Sequence, residues 1–451
     1  MDDCLHEIFT LGHPRLFAIF RPAPATGPPV VKAAIRVTYR VETAGNVEAL
    51  ARKIASDQST GTFVAVPGET ADLKARCAAR VVTIRTLSDA AVPSLPRTDA
   101  SPAGPVRRAE VDIDFPIEVV GTDIAALVTL ALGGVFSIRE LAGIRIVGLQ
   151  LPPEFIAAHP GPQFGIEGTR RLTGVQDRPL IGTIIKPNLG LTPERTAEIT
   201  RELCAADVDF IKDDEKLMNP DYSTVAARIA AVMPVIHEHE QQTGRRVMYA
   251  FGISSADPET MLRHHDLVAD AGGTAAVINI NSVGYGGLAF LRKRSRLALH
   301  AHRNGWDALT RHPGLGFDFS VYQTLWRLLG IDQFQVNGIG AKYWEPDESF
   351  VAGFRAVSTP LAAPGDRALP VVCSGQWGGQ APETFARTGR TLDLLYLGGG
   401  GIIAHPGGPG AGVKAIRQAW EAAVAGISLP DYARDHPELA QSLRKFGQSS
   451  T

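Results

Sequence analysis

Val208–Glu215 reads V-D-F-I-K-D-D-E, an alternating apolar run that closes on a lysine and three carboxylates. The alternation predicts a strand. Its end places Lys212, Asp213, Asp214 and Glu215 where a core meets solvent. Like charges this close raise one another's pKa unless something positive sits among them. Hard oxygen donors suit Mg²⁺, which combines carboxylates with water and substrate oxygens. An ammonium does not suit a cation unless burial neutralises it or it becomes an anionic carbamate and so a ligand. A solvated charge run at a strand end accounts for the same residues equally well.

Seven further runs resemble this one, each followed by a helical segment: I-G-T-I-I-K-P, V-M-Y-A-F-G-I, A-A-V-I-N-I, L-A-L-H-A-H-R, Q-F-Q-V-N-G-I, P-V-V-C-S-G-Q and L-L-Y-L-G-G-G. Amphipathic stretches such as Thr224–His237 and Tyr322–Leu329 lie between them. Strands alternating with helices imply parallel pairing. Eight such units in about 250 residues are what an α/β (β/α)₈ TIM barrel requires. An open doubly wound sheet is the alternative, but it has no need for polar strand ends. Here six runs end in polar groups: Lys186; Lys212 to Glu215; His300, His302 and Arg303; Gln335, Asn337 and Lys342; Ser374 and Gln376; Gly398 to Gly401. In such barrels the C-terminal ends of the strands carry the active site.

Ahead of the barrel, strands are predicted at Ala33–Val41, Arg80–Thr86, Ala109–Phe115 and Gly143–Leu149, with helices at Val47–Ser56 and Asp123–Leu132. The order β-α-β-β-α-β describes a ferredoxin-like α+β domain. Ser88–Pro105, rich in Pro, Ala, Ser and Asp, reads as a mobile loop. The expected organisation is an arm over 1–31, the α+β domain over 32–160, the barrel over 161–430 and a tail over 431–451.

A net charge of -2 gives no reason to expect nucleic acid or a membrane surface as partner. No apolar run approaches the ~18 residues of a spanning helix. Cys4, Cys77, Cys204 and Cys373 lack metal-type spacing, which points to a reducing, cytoplasmic setting.

Individual residues suggest chemistry. Bare amides at Gly398–Gly401 can surround a phosphate, although tight turn geometry explains such a run as well. Arg303 can grip a second anion with its planar fork, or form a surface ion pair. His302 is expected to titrate near neutrality as a proton carrier, and His300 to be a satisfied core histidine. Lys186, between two isoleucines and Pro187, is expected to be desolvated enough for acid/base work. Lys342, in N-G-I-G-A-K, sits where a glycine-rich loop can close over a substrate.

Assembled, these residues resemble the ribulose-bisphosphate carboxylase superfamily over about Ile35 to Trp420. The resemblance rests on S-T-G-T (Ser59–Thr62), T-I-I-K-P-N-L-G-L (Thr183–Leu191), D-F-I-K-D-D-E (Asp209–Glu215), H-A-H-R (His300–Arg303), S-G (Ser374–Gly375) and G-G-G-x-x-x-H-P (Gly399–Pro406). It implies a carbamate formed from CO₂ on Lys212, holding Mg²⁺ with Asp214 and Glu215. It also implies proton transfer by Lys186 and His302, and Arg303 on one phosphate-type group. Thr62, Gly399 and Gly400 would surround another, with Gln335, Ser374 and Gly375 beside the substrate. Lys342 would touch a carboxyl group, and a homodimer or an assembly of dimers would complete each site.

Departures from the carboxylase pattern are as informative. Asn188 stands for the second lysine of K-P-K, Gln335 for a histidine, Gly134 for an asparagine, and Asp57 and Phe63 flank S-T-G-T in altered form. They argue against ribulose-bisphosphate carboxylation and for the carboxylase-like proteins of form IV. The branch acting on 3-oxo-isoapionate 4-phosphate, by decarboxylation or by carboxyl transfer with hydrolysis, fits a retained Lys342. An enolase or isomerase of a phosphorylated ketose, as in methionine salvage, and a non-catalytic binding protein are the alternatives.

Overall fold

The alternating residues of β1 (Ala34–Thr43) divide between two faces in the computed structural model, which describes residues 33–96 and 104–447. Ile35, Val37, Tyr39 and Val41 are wholly buried. On the other face Arg36 pairs with Asp114, Thr38 with Asp112 and Arg40 with Glu110. These are the residues directly opposite in the antiparallel register with β3 (Val106–Pro116). Burial on one side and complementary polar pairs on the other fix that register, because a one-residue slip would invert both.

Strands β2 (Arg80–Ala90) and β4 (Gly143–Gln150) flank the central pair. The helix Val47–Asp57, capped by Asn46, lays Leu50, Ala51 and Ile54 on the apolar face. The helix Ile124–Leu132, capped by Asp123, adds Ile124 and Leu127. The predicted β-α-β-β-α-β order is present, with short helical insertions at Ala71–Cys77, Ile117–Val120 and Gly134–Ser137 and with a fifth strand. That strand, β10 (Leu315–Phe317), comes from the barrel half of the chain and pairs parallel with β4.

All eight runs expected as barrel strands close into one parallel barrel. They are β5 (Leu180–Ile184), β6 (Phe210–Lys212), β7 (Met248–Gly252), β8 (Ala275–Asn279), β9 (Ala298–His302), β11 (Gln333–Asn337), β12 (Leu369–Val372) and β13 (Leu395–Leu397). Period-two alternation divides each between two cores. Phe210, Met248, Ala250, Ala275 and Val277 pack with Leu369, Val371 and Leu395 inside the barrel. Ile211, Tyr249, Phe251, Ala276 and Ile278 belong to the core under the surrounding helices.

The segment expected as a C-terminal tail contains a helix. The helix Pro437–Phe446 buries Leu439, and Gln418 holds the Leu439 amide and the Glu438 carboxylate. The arm over 1–31 lies outside the described residues, as does 97–103 of the expected loop, while Ser88 to Ala90 extend β2. Among the described residues no helix is long and apolar enough to cross a membrane.

Candidate active site

The C-terminal strand ends enclose a cavity of about 310 Å³. Lys186, Lys212, Glu215, His302, Arg303, Gln335, Lys342, Ser374, Gly375, Gly399 and Gly400 all line it. Asp214 lies just beneath, 2 % exposed. Thr62 does not reach this cavity; it is exposed on the N-terminal domain.

Strand parity sorts the charged run that ends β6. Phe210 points into the barrel and Ile211 outward, so Lys212 returns inward and Asp213 turns out. Asp213 thus faces away from the cavity, and it was not among the ligands that the family resemblance implies. Its carboxylate is wholly buried behind the strand, accepting from Arg228 Nε (3.1 Å), Tyr249 Oη (2.7 Å) and the Gly252 amide (2.9 Å). Asp214 and Glu215 remain at the cavity. Asp214 accepts from Lys186 Nζ at 2.7 Å and Lys216 Nζ at 3.2 Å.

Lys212 is fully buried. Burial lowers its pKa, an effect that the nearby Glu215 and Asp214 carboxylates oppose. Its Nζ donates to the Asp213 carbonyl at 2.7 Å and lies 3.7 Å from Glu215 Oε2. Burial raises the Glu215 carboxyl, but His302 where it is protonated, Lys212, a backbone hydrogen bond and Lys216 together hold it below its ordinary range. Asn279, at the end of β8, donates to the Glu215 carbonyl and fixes that turn.

His302 departs from the expectation of titration near neutrality. Burial and the Lys212 ammonium push its pKa down to about 3 against the opposing Glu215 and Asp214 carboxylates, so the ring is neutral. The Asn304 amide donates to Nδ1 at 3.1 Å, which leaves the proton on Nε2, 3.3 Å from Glu215 Oε2. His300 is the satisfied core histidine expected: its Nδ1 meets Gln333 and its Nε2 meets the Gln335 amide. Gln335 in turn accepts from Cys373 Sγ at 3.7 Å, so its side chain is held from both ends. Lys186 is less enclosed than expected. It is 30 % exposed, and its ammonium also donates to Asn188 at 2.5 Å.

Lys342 projects over the cavity from the loop after β11. Its amide donates to the Ser374 carbonyl, and its methylene stem runs over Gly375. Gly375 has φ +91°, and a Cβ there would sit 3.3–3.6 Å from the Lys342 stem, so both backbone and space call for glycine. β13 runs through Gly398 into the turn Gly399–Ile403, whose opening amides lack intrahelical acceptors, and Gly399 and Gly400 line the cavity.

Arg303, expected to hold an anion, is instead ion-paired with Glu345. Glu345 was not foreseen: in W-E-P-D-E it reads as one of several acids opening the helix Asp347–Ser358. Asp307, Asn304 and Tyr343 also line the cavity without having stood out in the sequence.

Known proteins place this geometry. The model of the ribulose bisphosphate carboxylase large chain matches in both parts, its N-terminal domain over residues 29–155 and its catalytic domain over 165–446. The chain is 66 % identical to the 3-oxo-isoapionate-4-phosphate decarboxylase of Rhizobium rhizogenes, over 91 % of this chain and 98 % of that protein. It is 46 % identical to the 3-oxo-isoapionate-4-phosphate transcarboxylase/hydrolase of Xanthobacter autotrophicus, over 91 % and 98 %. A crystal structure of a rubisco-like protein from Burkholderia fungorum superimposes with a TM-score of 0.86 at 41 % identity, covering 92 % of this chain and all of that one. With the barrel, the charged strand end and these matches in agreement, the chain is a RuBisCO-like member of the ribulose bisphosphate carboxylase large-chain family.

Proposed function

We propose that this protein is a Mg²⁺-dependent decarboxylase of a phosphorylated 3-oxo sugar acid, 3-oxo-isoapionate 4-phosphate, serving carbohydrate catabolism. The observation that carries the reading is Lys342, which lines the same cavity as Gly399 and Gly400. Together they offer a cation for a carboxylate and donors for a phosphate. The 66 % identity to a protein of that name supports the choice of substrate.

In a 3-oxo acid the carbonyl lies β to the carboxylate. When C1 departs as CO₂, the C1–C2 electron pair passes to the C3 oxygen, leaving an enediolate that C2 protonation resolves. Gly399 and Gly400 would bind the phosphate and Lys342 would hold the departing carboxylate. Lys186, whose Nζ donates to Asp214 at 2.7 Å, would deliver the proton to C2. His302, neutral with its proton on Nε2, orients Glu215. Gln335, Ser374 and Gly375 shape the wall beside the substrate.

Among the described residues no three His, Cys, Asp or Glu side chains converge as a metal site. Asp214 and Glu215 therefore need a third oxygen donor to hold Mg²⁺. Lys212 fits that need, because burial favours the neutral amine that CO₂ must meet to form a carbamate. When bound, the ion would supply Lewis-acid stabilisation of developing negative charge. Thr62, remote from its own chain's cavity, would serve the site of a second copy in a homodimer.

Carboxyl transfer with hydrolysis is the second reading, favoured by the 46 % identical relative of that name. Incubating the protein with Mg²⁺, bicarbonate and 3-oxo-isoapionate 4-phosphate and weighing the products separates the two. Release of CO₂ is expected, with loss of turnover in Lys212→Ala and Lys342→Ala. The carboxyl carbon reappearing in a second acid would favour transfer, and an unchanged substrate would refute both.

A further inference from the structure

Arg303 directly follows β9 at the cavity wall, where its fork would face an anion. That seat is already filled from within the chain. Glu345 meets the fork at both ends, Oε2 on Nη2 and Oε1 3.5 Å from Nη1. The carboxylate is 4 % exposed and cannot easily swing away. Asn337 Nδ2 donates to its Oε2 at 3.1 Å, and Ser349 Oγ donates to its Oε1 at 2.7 Å. The guanidinium carbon stands 5.1 Å from the centroid of Phe319, which backs it. Arg303 thus faces the cavity with its charge already matched by a buried carboxylate.

We propose that Glu345 is a specificity-determining residue that closes the Arg303 seat to phosphate. The cavity then accepts ligands with one phosphate and rejects bisphosphates. The proposal rests on the reading above in placing the single phosphate at Gly399 and Gly400. A second phosphate arriving at Arg303 would have to displace Glu345, leaving its carboxylate buried without a cation and close to the incoming dianion. Either consequence opposes binding. The part of the substrate reaching Arg303 should accordingly be uncharged, such as a hydroxymethyl group.

Titration calorimetry on the full-length protein without divalent metal tests this, using ribulose 5-phosphate and ribulose 1,5-bisphosphate as probes. In the wild type the second phosphate is expected to give no gain in affinity. In Glu345→Gln, which keeps shape and removes charge, the bisphosphate is expected to bind about tenfold tighter or more while the monophosphate is unchanged. The gain should vanish in Glu345→Gln/Arg303→Met. If Glu345→Gln does not fold, Glu345→Asp, with its carboxylate drawn back from the fork, should show the same preference in weaker form. A wild type that already prefers the bisphosphate, or a folded variant with no gain or an equal gain for both probes, overturns the proposal. Because the readout is binding, a failure to release CO₂ would sink the decarboxylase reading without deciding this one. CO₂ release without the gain would do the reverse.

Discussion

Asp213→Ala removes an anion that two buried polar side chains and a backbone amide depend on. Asp213 and Arg228 are both wholly buried, and the carboxylate also accepts from Tyr249 and the Gly252 amide. Removing one partner of a buried ion pair costs about 3–5 kcal/mol because the remaining charge stays in a poor solvent. Arg228 would keep its bonds to the Ser223 and Met218 carbonyls, which softens that loss. The Tyr249 hydroxyl and the Gly252 amide would each be left unsatisfied, at about 1–3 kcal/mol apiece and not additively. We expect a net loss of about 4–6 kcal/mol. Urea unfolding followed by tryptophan fluorescence measures it. Asp213→Asn, which retains an acceptor, should lose clearly less. Arg195→Ala, which breaks the exposed pair with Glu198, should lose no more than about 1 kcal/mol. Asp214 and Glu215 follow in the chain, so a shift of about 1 Å at this turn should also lower turnover on the order of a hundredfold. An Asp213→Ala protein as stable as Arg195→Ala would refute the view of Asp213 as the anchor of the charged turn.

Gly375→Ala, at φ +91°, should lower kcat by pushing the Lys342 stem aside, with about 1–2 kcal/mol of backbone strain in the unfolding free energy. Steady-state kinetics showing an effect on KM alone would separate the glycine from the lysine. Trp344→Phe loses the 2.8 Å hydrogen bond from Nε1 to Asp307 and should raise hydrogen exchange across 338–346 while leaving the barrel strands protected. His300, whose folded pKa burial pushes down to about 3, binds its proton far more readily when unfolded. Between that value and the ordinary histidine pKa near ~6.5 the unfolded state therefore holds more protons, and stability rises with pH. His300→Asn should flatten that rise in urea midpoints, even if the variant is less stable throughout.

The barrel was readable because eight short apolar runs alternate with helical segments and six of them end in polar groups. Phe210, Ile211 and Lys212 already imply which side chain enters the barrel, and parity alone would have turned Asp213 outward. What the run cannot show is Arg228, thirteen or more residues along and on the next helix, which gives that outward carboxylate its cation. Glu345 escaped notice for a similar reason. Its partner Arg303 lies just past the end of β9, and the three acids of W-E-P-D-E-S-F look alike until the fold selects one. His302 was placed correctly, but its proton was not, since burial is a property of the closed barrel rather than of H-A-H-R. The three residues of β10 are too few to show a period, and their pairing with β4 is set by contacts far apart in the chain.

That small strand has a consequence for anyone who would cut the protein in two. Arg145 on β4 donates to the carbonyls of Thr310, His312, Leu315 and Phe317, and its Nε meets Asp318 at 2.5 Å. One guanidinium thus threads the excursion around β10 to the N-terminal sheet. A fragment ending before the barrel would carry β4 with a bare edge and an arginine stripped of five acceptors, which invites strand addition by neighbouring molecules. A chimera that exchanges N-terminal halves between relatives would need to carry 310–318 along with the half it moves. The two halves are joined by stitching as well as by succession, and the seam does not fall where the chain passes from one to the other.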